Sequence, residues 1–266
     1  MHSTKRCCIR LENLQFEALG YSCRVKLEKS LAIDPQLLFI QTIDSTNLEL
    51  ARVLAATHKP DLFSIVAAEQ TAGKGRLDRS WVSEPDGSIS LSMLLRPVEG
   101  VSTGLIPLFV GSMVARALTK VAEQIALVKW PNDVLIEGKK VCGILSELTE
   151  QGVIAGIGIN LSRQKSAPET ACSVDDFSNA SFDAVLAEVL TQVRSGWADW
   201  LSFGDEFALQ MIRESSVTVG KEVRAILPSG EEIIGTAVSI APDGRLQIQA
   251  DQLHLLSAAD VWHLRN

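Results

Sequence analysis

The chain has 266 residues, of which 46% are hydrophobic and 21% charged, so it can bury a full core and is not a disordered protein. Its formal net charge of −7 excludes a general nucleic-acid surface, because binding to phosphates needs a concentrated basic face. Its five cysteines lack metal-ligand spacing, and no window approaches the roughly 20 apolar residues of a membrane span, so we expect a soluble, cytoplasmic protein with reduced thiols.

The first predicted elements are a strand, a helix and a second strand. Residues 1–36 show no clear pattern and form an extension of unknown role, while residues 37–43 form the first apolar run. A helix is predicted to begin at residues 45–47, because Thr46 and Glu49 have the spacing of a capping box and an apolar stripe follows. Residues 63–70 then predict a buried strand that leads into a glycine-rich loop.

That loop, GKGRLDRSW at residues 73–81, is suited to binding an anion. Its glycines let main-chain N–H groups approach a ligand, and Lys74, Arg76 and Arg79 supply positive charge. It matches neither a Walker A loop nor a dinucleotide-binding GxGxxG motif. Taken alone, the segment is equally compatible with a charged surface turn.

The next elements predict an α+β domain built on a mixed sheet. Residues 88–97 alternate polar and apolar side chains, as a half-buried strand does. A long apolar helix is predicted at residues 104–123, followed by two strands within residues 128–148 that are joined by a turn at residues 137–139. Residues 152–161 predict one more strand. The strands and helices do not alternate regularly, which favours the mixed sheet.

The last part of the chain predicts helices and then short strands. Residues 164–181 are expected to form a surface connection, and helices are predicted at residues 182–201 and 205–214. Short strands separated by Pro/Gly turns follow, which predicts a small β-barrel at residues 215–266.

A second cluster, KWPNDVLIEGKKVCG at residues 129–143, would by itself be a turn and a solvated hairpin. Together with residues 73–81 it resembles the signature segments of biotin protein ligases, GRGRxGRxW followed by KWPNDxxxxxxKxxGIL. The resemblance extends to Ser-Thr-Asn at residues 45–47, Gln70 and GIGIN at residues 156–160. It covers roughly residues 37–266 in order.

The resemblance implies a catalytic domain at residues 37–214, with the mixed sheet and helices of the class II aminoacyl-tRNA-synthetase-like biotin ligase fold, and an Src-homology-3-like barrel after it. It implies ATP-dependent activation of biotin to biotinyl-5'-AMP, with Mg²⁺, and transfer to a lysine of a biotin carboxyl carrier protein of acetyl-CoA carboxylase or a related carboxylase. We expect no nucleic-acid or membrane partner, and no N-terminal DNA-binding domain. An exposed sheet edge in the catalytic domain would be compatible with a homodimer.

The resemblance also assigns roles to individual residues. Lys140 and Arg76 are implied as catalytic residues, and Asp133 as the residue near magnesium. The residues implied to bind biotin are Ser45, Thr46, Asn47, Gln70, Gly73, Lys74, Gly75, Arg76, Lys140 and Gly143. The residues implied to bind ATP are Arg76, Arg79, Trp81, Lys129, Asn132, Asp133 and Asn160.

Two positions depart from the family pattern. Lys74 replaces the usual arginine, which keeps the charge but loses the planar fork, and Asp78 replaces the usual glycine between Arg76 and Arg79. We expect Asp78 to pair with one of these arginines. Trp81 and Trp130 are expected to pack beneath the loop in preference to stacking on adenine. A lipoate-type ligase and a non-catalytic biotin-binding regulator are the alternatives; the first would carry an RRxxGGG segment, which this chain lacks.

Overall fold

The computed structural model describes residues 8–9, 26–76, 79–81, 87–164 and 167–264. The described part contains an eight-stranded sheet, a five-stranded sheet and a two-stranded ribbon. Its helices are α1 (Glu28–Ile33), α2 (Thr46–Ala56), α3 (Ile106–Ala122), α4 (Phe182–Phe203) and α5 (Asp205–Ser215). Its strands are β1 (Cys8–Ile9), β2 (Leu38–Ile43), β3 (Ser64–Gln70), β4 (Gly73–Lys74), β5 (Ser80–Trp81), β6 (Ser88–Leu95), β7 (Ala126–Lys129), β8 (Asp133–Ile136), β9 (Lys139–Thr149), β10 (Gly152–Asn160), β11 (Glu222–Ile226), β12 (Glu232–Ile240), β13 (Leu246–Gln249), β14 (Leu253–Leu256) and β15 (Asp260–His263).

The main sheet is mixed, as predicted, with the strand order β1-β2-β3-β6-β10-β9-β8-β7. Strands β2 and β3 pair in parallel, and the other neighbours in this sheet pair antiparallel. At the centre of the sheet, Gly158 of β10 lies opposite Gly143 of β9 and Ser90 of β6. This register creates a flat patch of small residues in the middle of one face.

The two faces of the main sheet are covered differently. Helices α3, α4 and α5 belong to the large core on one face, which contains Phe109, Trp197 and Trp200. Helix α2 covers part of the opposite face and packs with β3, β6 and β10 over a smaller apolar cluster. The small-residue patch is on the α2 face, so a space remains there beside the helix.

The predicted small barrel is present as the five-stranded antiparallel sheet β14-β13-β12-β11-β15. Within the described residues its two end strands, β14 and β15, are not paired with each other, so the strands form an open, curved sheet in their hydrogen bonding. Trp130 anchors this sheet, because its indole Nε1 donates to the Gly244 carbonyl at 3.0 Å and its backbone N donates to Thr218 Oγ1 at 3.0 Å. A side chain at Gly104 would overlap the Asp243 carbonyl, so the two backbones touch there.

Several sequence predictions need correction. Helix α2 is capped by Ser45, whose side chain accepts from the Leu48 N–H, so the Thr46/Glu49 capping box is wrong. Strand β6 is the predicted strand, and it is buried along its full length even though polar and apolar residues alternate along it. The physical reason is that its serines face α2 and the polar space beside it, where Ser92 makes two hydrogen bonds.

Some elements had no counterpart in the sequence prediction. Helix α1 and the short strand β1 lie inside the extension at residues 1–36, and β14 was missed in the small sheet. The segment taken as the first of two strands is divided into β7 and β8, which are antiparallel and joined through the cis Trp130–Pro131 peptide bond. A proline turn at residues 130–132 interrupts the first of the two predicted strands.

Two further expectations were wrong. The connection at residues 164–181 is not confined to the surface, because Cys172, Ser173 and Val174 are buried. One helix, Thr103–Ala122, is long and apolar enough to cross a membrane by length and composition, contrary to our reading of the sequence. Since 72% of that window is buried inside the fold, it is the core helix of the large apolar cluster.

Candidate functional site

The start of helix α2 brings neutral hydrogen-bonding groups to the sheet. The Ser45 cap lets the helix begin at Thr46, whose backbone N and Oγ1 donate to Gln70 Oε1 at 2.7 and 3.0 Å. Gln70 is the last residue of β3, so this pair joins the helix to the sheet directly before the glycine loop. All three residues line the cavity described below.

Asn47 is held in one orientation by its neighbours. Its Oδ1 accepts from Ser92 Oγ at 2.6 Å, and its Nδ2 donates to Glu147 Oε2 at 2.6 Å. The side chain lies directly over Gly156, where any Cβ would collide with the amide. Burial of this satisfied network makes the geometry rigid, since an unpaired amide there would be costly.

The anion-binding loop is closed by a short ribbon. Strands β4 and β5 pair Gly73 with Trp81 and Lys74 with Ser80, and the Gly75 N–H donates to the Arg79 carbonyl at 2.6 Å. The Trp81 ring packs on Gly158, where a Cβ would come within 2.5 Å of it. The ring thus rests on the sheet, and whether it packs in preference to stacking on adenine stays a prediction. Asp78, with its expected pairing, lies outside the described residues.

The turn between β7 and β8 faces this loop. Arg76 Nη1 donates to Asn132 Oδ1 at 3.3 Å, while Asn132 Nδ2 donates to the Ile144 carbonyl at 2.9 Å. Asn132 thus connects the loop to strand β9. Trp130 is 2% exposed and anchors the small sheet, and it also contributes to the lining of the cavity described below. Its expected place beneath the loop stays a prediction.

Lys140 and Asp133 form an ion pair across β8 and β9, with Nζ 2.6 Å from Oδ1. The backbone of Lys140 is fixed from behind, because its N–H donates to the Thr170 carbonyl and its carbonyl accepts from the Cys172 N–H, both at 2.9 Å. Asn160 Nδ2 donates to the same Lys140 carbonyl at 3.3 Å and to the Cys172 carbonyl at 3.0 Å. The buried segment at residues 171–174 therefore supports Lys140, which the sequence did not indicate.

Positive charge is concentrated and partly desolvated at this end of the site. Burial lowers the pKa of Lys129, the charge of Lys140 acts in the same direction, and Asp133 and Asp260 oppose the shift. Burial also lowers the pKa of Arg76, with the same two carboxylates opposing. Cations that are half-buried in this way gain from the arrival of an anion, which replaces the hydration they have lost.

These groups surround one cavity of about 310 Å³, which is within the usual size range of small-molecule pockets. All of the predicted ligand residues line it except Gly73 and Asn160. The small sheet also contributes Ala259, Asp260, Val261 and Trp262, which the sequence did not indicate. Arg79 reaches this sheet, with Nη2 2.5 Å from Asp260 Oδ2.

The two exceptions lie directly beside the cavity. Gly73 lets the Gln70 amide approach, since a Cβ there would lie 2.9 Å from Gln70 Nε2. Asn160 lines a neighbouring cavity of about 210 Å³ on the other side of Trp81 and Lys140. The remaining lining there includes Ala167, Pro168 and Ala171, which offer flat apolar contacts.

Known proteins share this fold and much of this sequence. A family model described as "Biotin/lipoate A/B protein ligase family" matches residues 39–163, and one described as "Biotin protein ligase C terminal domain" matches residues 218–264. A biotin–[acetyl-CoA-carboxylase] ligase of Mycobacterium tuberculosis is 33% identical over 245 residues, covering 86% of this chain and 90% of that protein. The chain belongs to the biotin protein ligase family.

Solved structures that resemble this chain are biotin protein ligases, as its sequence relatives are. The biotin protein ligase from Aquifex aeolicus in complex with biotin and ATP superimposes with a TM-score of 0.72 at 28% identity, covering 86% of this chain and 99% of that one. The ligase from Leishmania major in complex with biotinyl-5-AMP gives a TM-score of 0.58 at 27% identity. A bifunctional ligase/repressor of Bacillus spizizenii is 30% identical over 241 residues, and the match covers 74% of that protein.

Proposed function

We propose that this ligase-family protein activates biotin with ATP to form biotinyl-5'-AMP, and then transfers biotin to a lysine of a biotin carboxyl carrier protein. The observation that supports this most strongly is the polarity of the cavity. Thr46, Asn47 and Gln70, which are neutral, line it at the junction of α2 and β3, whereas the cations Lys140, Arg76 and Lys129 line it from the loop and from β7 and β9. Biotin has the matching form, with a neutral hydrogen-bonding ureido ring and an anionic carboxylate tail.

In the proposed first step, a carboxylate oxygen of biotin attacks the α-phosphorus of ATP, and the bond to pyrophosphate breaks. Two anions must approach each other, which fixed cations in a water-poor site make feasible. Lys140 is placed by its backbone bonds and by Asp133 to neutralise the reacting oxygens, and Arg76 by its bond to Asn132. These residues are proposed to act by electrostatic stabilisation and orientation.

In the proposed second step, the amine of the carrier lysine attacks the biotinyl carbonyl and expels AMP. The mixed anhydride must be kept from water until the carrier arrives. Lys74, Gly75 and Arg76 form one wall of the cavity and belong to the ribbon-closed loop, so the loop is suited to covering the intermediate. The adenine is proposed to lie in the neighbouring cavity beside Trp81, where Asn160 and the apolar contacts are found.

A magnesium ion fits this site as a companion of the triphosphate. Among the described residues, no group of three or more His, Cys, Asp or Glu side chains is arranged to hold a metal. Mg²⁺ commonly uses one or two carboxylates together with substrate phosphates, and Asp133 would be its protein ligand here. When bound, the ion would neutralise phosphate charge.

Residues 37–214 and 215–266 are proposed to act as one catalytic unit, because the cavity is lined from both. The carrier is proposed to come from acetyl-CoA carboxylase or a related carboxylase, which is the substrate named for the relative from Mycobacterium tuberculosis. A homodimer and a cytoplasmic location stay predictions.

The transfer is tested by incubating the protein with biotin, ATP, Mg²⁺ and a biotin carboxyl carrier domain, and by measuring the mass of the carrier. We expect biotin on one lysine, and no product when that lysine is replaced by arginine. An unmodified carrier in the complete mixture would overturn the proposed transfer.

A lipoate-type activity is the rival within the same family model. The dithiolane ring of lipoate has no strong hydrogen-bonding groups, so it would leave Thr46, Asn47 and Gln70 without ligand partners at the neutral end. We therefore expect biotin, and not lipoate, to support pyrophosphate exchange at micromolar concentration. Preference for lipoate in a competition experiment would favour the rival.

A further inference from the structure

A chain of hydrogen-bonding contacts runs from strand β9 to the neutral groups of the cavity. Glu147 Oε2 accepts from Asn47 Nδ2 at 2.6 Å, and Asn47 Oδ1 lies 2.6 Å from Ser92 Oγ. Ser92 Oγ lies 2.8 Å from Thr46 Oγ1, which lies 3.0 Å from Gln70 Oε1. Thr46, Asn47 and Gln70 line the cavity, whereas Ser92 and Glu147 do not. The chain therefore connects a carboxylate outside the cavity to the groups that meet the ligand.

Both ends of this chain have a fixed hydrogen-bonding direction. At one end, a carboxylate can only accept, so Glu147 requires Asn47 to present its amide nitrogen. At the other end, the backbone N–H of Thr46 can only donate and lies 2.7 Å from Gln70, so Gln70 must present its amide oxygen. Asn47 Oδ1 is thus directed at Ser92 Oγ, from which it can only accept.

The interior of the chain is one proton short. It contains three contacts between oxygen atoms, at 2.6, 2.8 and 3.0 Å, but only the hydroxyl protons of Ser92 and Thr46 to fill them. Because Ser92 gives its proton to Asn47, the Thr46 proton serves either Ser92 or Gln70. In both arrangements one contact has no proton, and Thr46 Oγ1 has a lone pair left for a ligand. A buried network with too few donors gains when a ligand brings another.

We infer that Glu147 is a positioning residue that makes this part of the cavity an acceptor, and so selects a ligand with an N–H donor. The inference rests on the proposed function, because the ureido ring of biotin supplies such N–H groups. A ligand donor that meets Thr46 Oγ1 or Gln70 Oε1 takes the place of the missing proton. The carboxylate acts through Asn47 and Ser92 and need not touch the ligand.

The first test uses Glu147→Gln, which keeps the shape of the side chain but adds a donor. The new amide can donate to Asn47 Oδ1 once the Asn47 amide turns over. The chain then reverses, so that Asn47 donates to Ser92, Ser92 to Thr46 and Thr46 to Gln70, and every contact is filled without a ligand. We expect the Kd for biotin, measured by calorimetry on the full chain, to rise about three- to tenfold.

The melting temperature of the ligand-free protein gives a second readout for the same variant. It should stay the same or rise in Glu147→Gln, because the reversed chain has no unfilled contact. Glu150→Gln is the control, since Glu150 is exposed in the turn between β9 and β10 and its replacement removes the same charge. It should change neither the Kd nor the melting temperature.

The second test changes the ligand. Two cyclic carbamate analogues of biotin each have one ureido N–H replaced by oxygen, which removes a donor at nearly constant shape. We expect the wild-type protein to bind at least one of them about tenfold or more weakly than biotin. In Glu147→Gln this ratio should fall towards one, because the reversed chain lets the Thr46 hydroxyl turn to a ligand acceptor. Loss of packing alone would weaken the binding of all three ligands alike.

The third test cuts the chain at Ser92. In a Ser92→Ala background, Glu147 is no longer connected to Thr46 through a hydroxyl group. Glu147→Gln should therefore have little further effect on the Kd for biotin in that background.

The outcomes separate the two proposals. Wild-type affinity for biotin in Glu147→Gln, or an effect that persists in full in Ser92→Ala, overturns the positioning role. If the wild-type protein does not bind biotin, the proposed function fails, and the ligand-free melting temperatures still decide about Glu147. A lower melting temperature in Glu147→Gln would mean that the carboxylate is only structural and that the chain is not short of a proton.

Discussion

Lys140 combines a fixed backbone with a charged side chain in the cavity where the proposed reaction brings two anions together. Its N–H and carbonyl are bonded to the segment at residues 170–172, and its Nζ reaches Asp133. A lysine held in this way has little orientation to lose when it binds the reacting carboxylate. Its neighbour Lys139 is exposed on the same strand and does not line the cavity.

We expect Lys140→Ala to slow biotin-dependent pyrophosphate exchange by about two to three orders of magnitude, which is the range found when one group that stabilises developing charge is removed. The melting temperature should change little, because the side chain is partly exposed. Lys139→Ala serves as the control and should leave exchange unchanged. Equal effects of the two substitutions would refute the role of Lys140.

Lys129 gives the site a pH dependence. Its pKa is lowered, chiefly by burial, so it loses its proton at a lower pH than an exposed lysine. The charged form binds the triphosphate, and ATP binding is therefore present below this pKa and lost as the pH rises through it. We expect the KM for ATP to begin to increase at a pH below the usual pKa of a lysine side chain, about 10.4.

Lys129→Arg is the matched variant for this prediction, since an arginine stays charged over the whole range. Each variant is normalised to its own KM at neutral pH. In Lys129→Arg the KM for ATP should not increase at alkaline pH, or should begin to increase only at a higher pH. The same alkaline increase in both proteins would assign it to another group.

At the scale of elements, the site depends on close contacts between glycines and large side chains. Strand β10 carries Gly156 beneath Asn47 and Gly158 beneath Trp81. Neither glycine has a positive φ angle, so the requirement is for space and not for an unusual backbone. The GIGIN segment thus supplies a flat surface on which the helix start and the loop can both rest.

Gly158→Ala should destabilise the protein by about 1–3 kcal/mol, because its Cβ would lie 2.5 Å from the Trp81 ring and force it to move. The free energy of unfolding is measured with urea. The cavity should also bind its ligand less tightly, because Trp81 belongs to β5 and moving it disturbs the ribbon that closes the loop.

A smaller side chain at position 81 gives the control for the contact between Gly158 and Trp81. Trp81→Ala removes all of the ring atoms that the new Cβ would meet, so Gly158→Ala should cost less in that background than in the wild type. A cost that is the same in both backgrounds would mean that the substitution acts through something other than Trp81.

Most of the elements could be predicted from sequence, and the misses have identifiable causes. Strand β2, helix α2 and the turn before β9 follow from apolar runs, a helix start and a glycine turn, and Glu137 and Gly138 do have positive φ angles. The pattern of β6 was misleading, since its serines face a polar cavity and not solvent. Alternation with a period of two shows that the two faces of a strand differ in polarity, but it does not show whether the polar face is exposed to solvent.

The candidate site was predictable only where residues fall in short motifs. The loop, the Lys129–Gly143 segment and the helix start all meet at one cavity. The contribution of Asp260 and the support of Lys140 by Cys172 come from segments far away in sequence, with no motif of their own. Such contacts are set by how the sheets pack together, which local patterns do not encode.

At the scale of the whole molecule, the small sheet and the main sheet form one site. The small sheet touches the segment before α3, where a Cβ on Gly104 would lie 2.1 Å from the Asp243 carbonyl oxygen and a Cβ on Gly244 would lie 2.2 Å from the Gly104 carbonyl oxygen. Trp130 adds two hydrogen bonds to the same interface. The position of Asp260 relative to Arg79 depends on this contact.

Gly104→Ala should push the small sheet outward, because the new Cβ would meet the Asp243 backbone, which cannot rotate away. We expect a higher KM for ATP and a lower melting temperature. Gly111→Ala in α3 is the control, since its Cβ would make only ordinary contacts at 3.6 Å. A KM for ATP that is unchanged in Gly104→Ala would show that the small sheet is not needed for nucleotide binding.

One cavity, built by the loop, the Lys129–Gly143 segment and the small sheet, is proposed to make and retain an adenylate. The direct measurement is to mix the protein with biotin, Mg²⁺ and ATP labelled in its α-phosphate, without carrier, and to isolate the protein. We predict about one equivalent of protein-bound biotinyl-5'-AMP and an equal amount of released pyrophosphate. Pyrophosphate release that does not depend on biotin, or no bound adenylate with all substrates present, would contradict the claim.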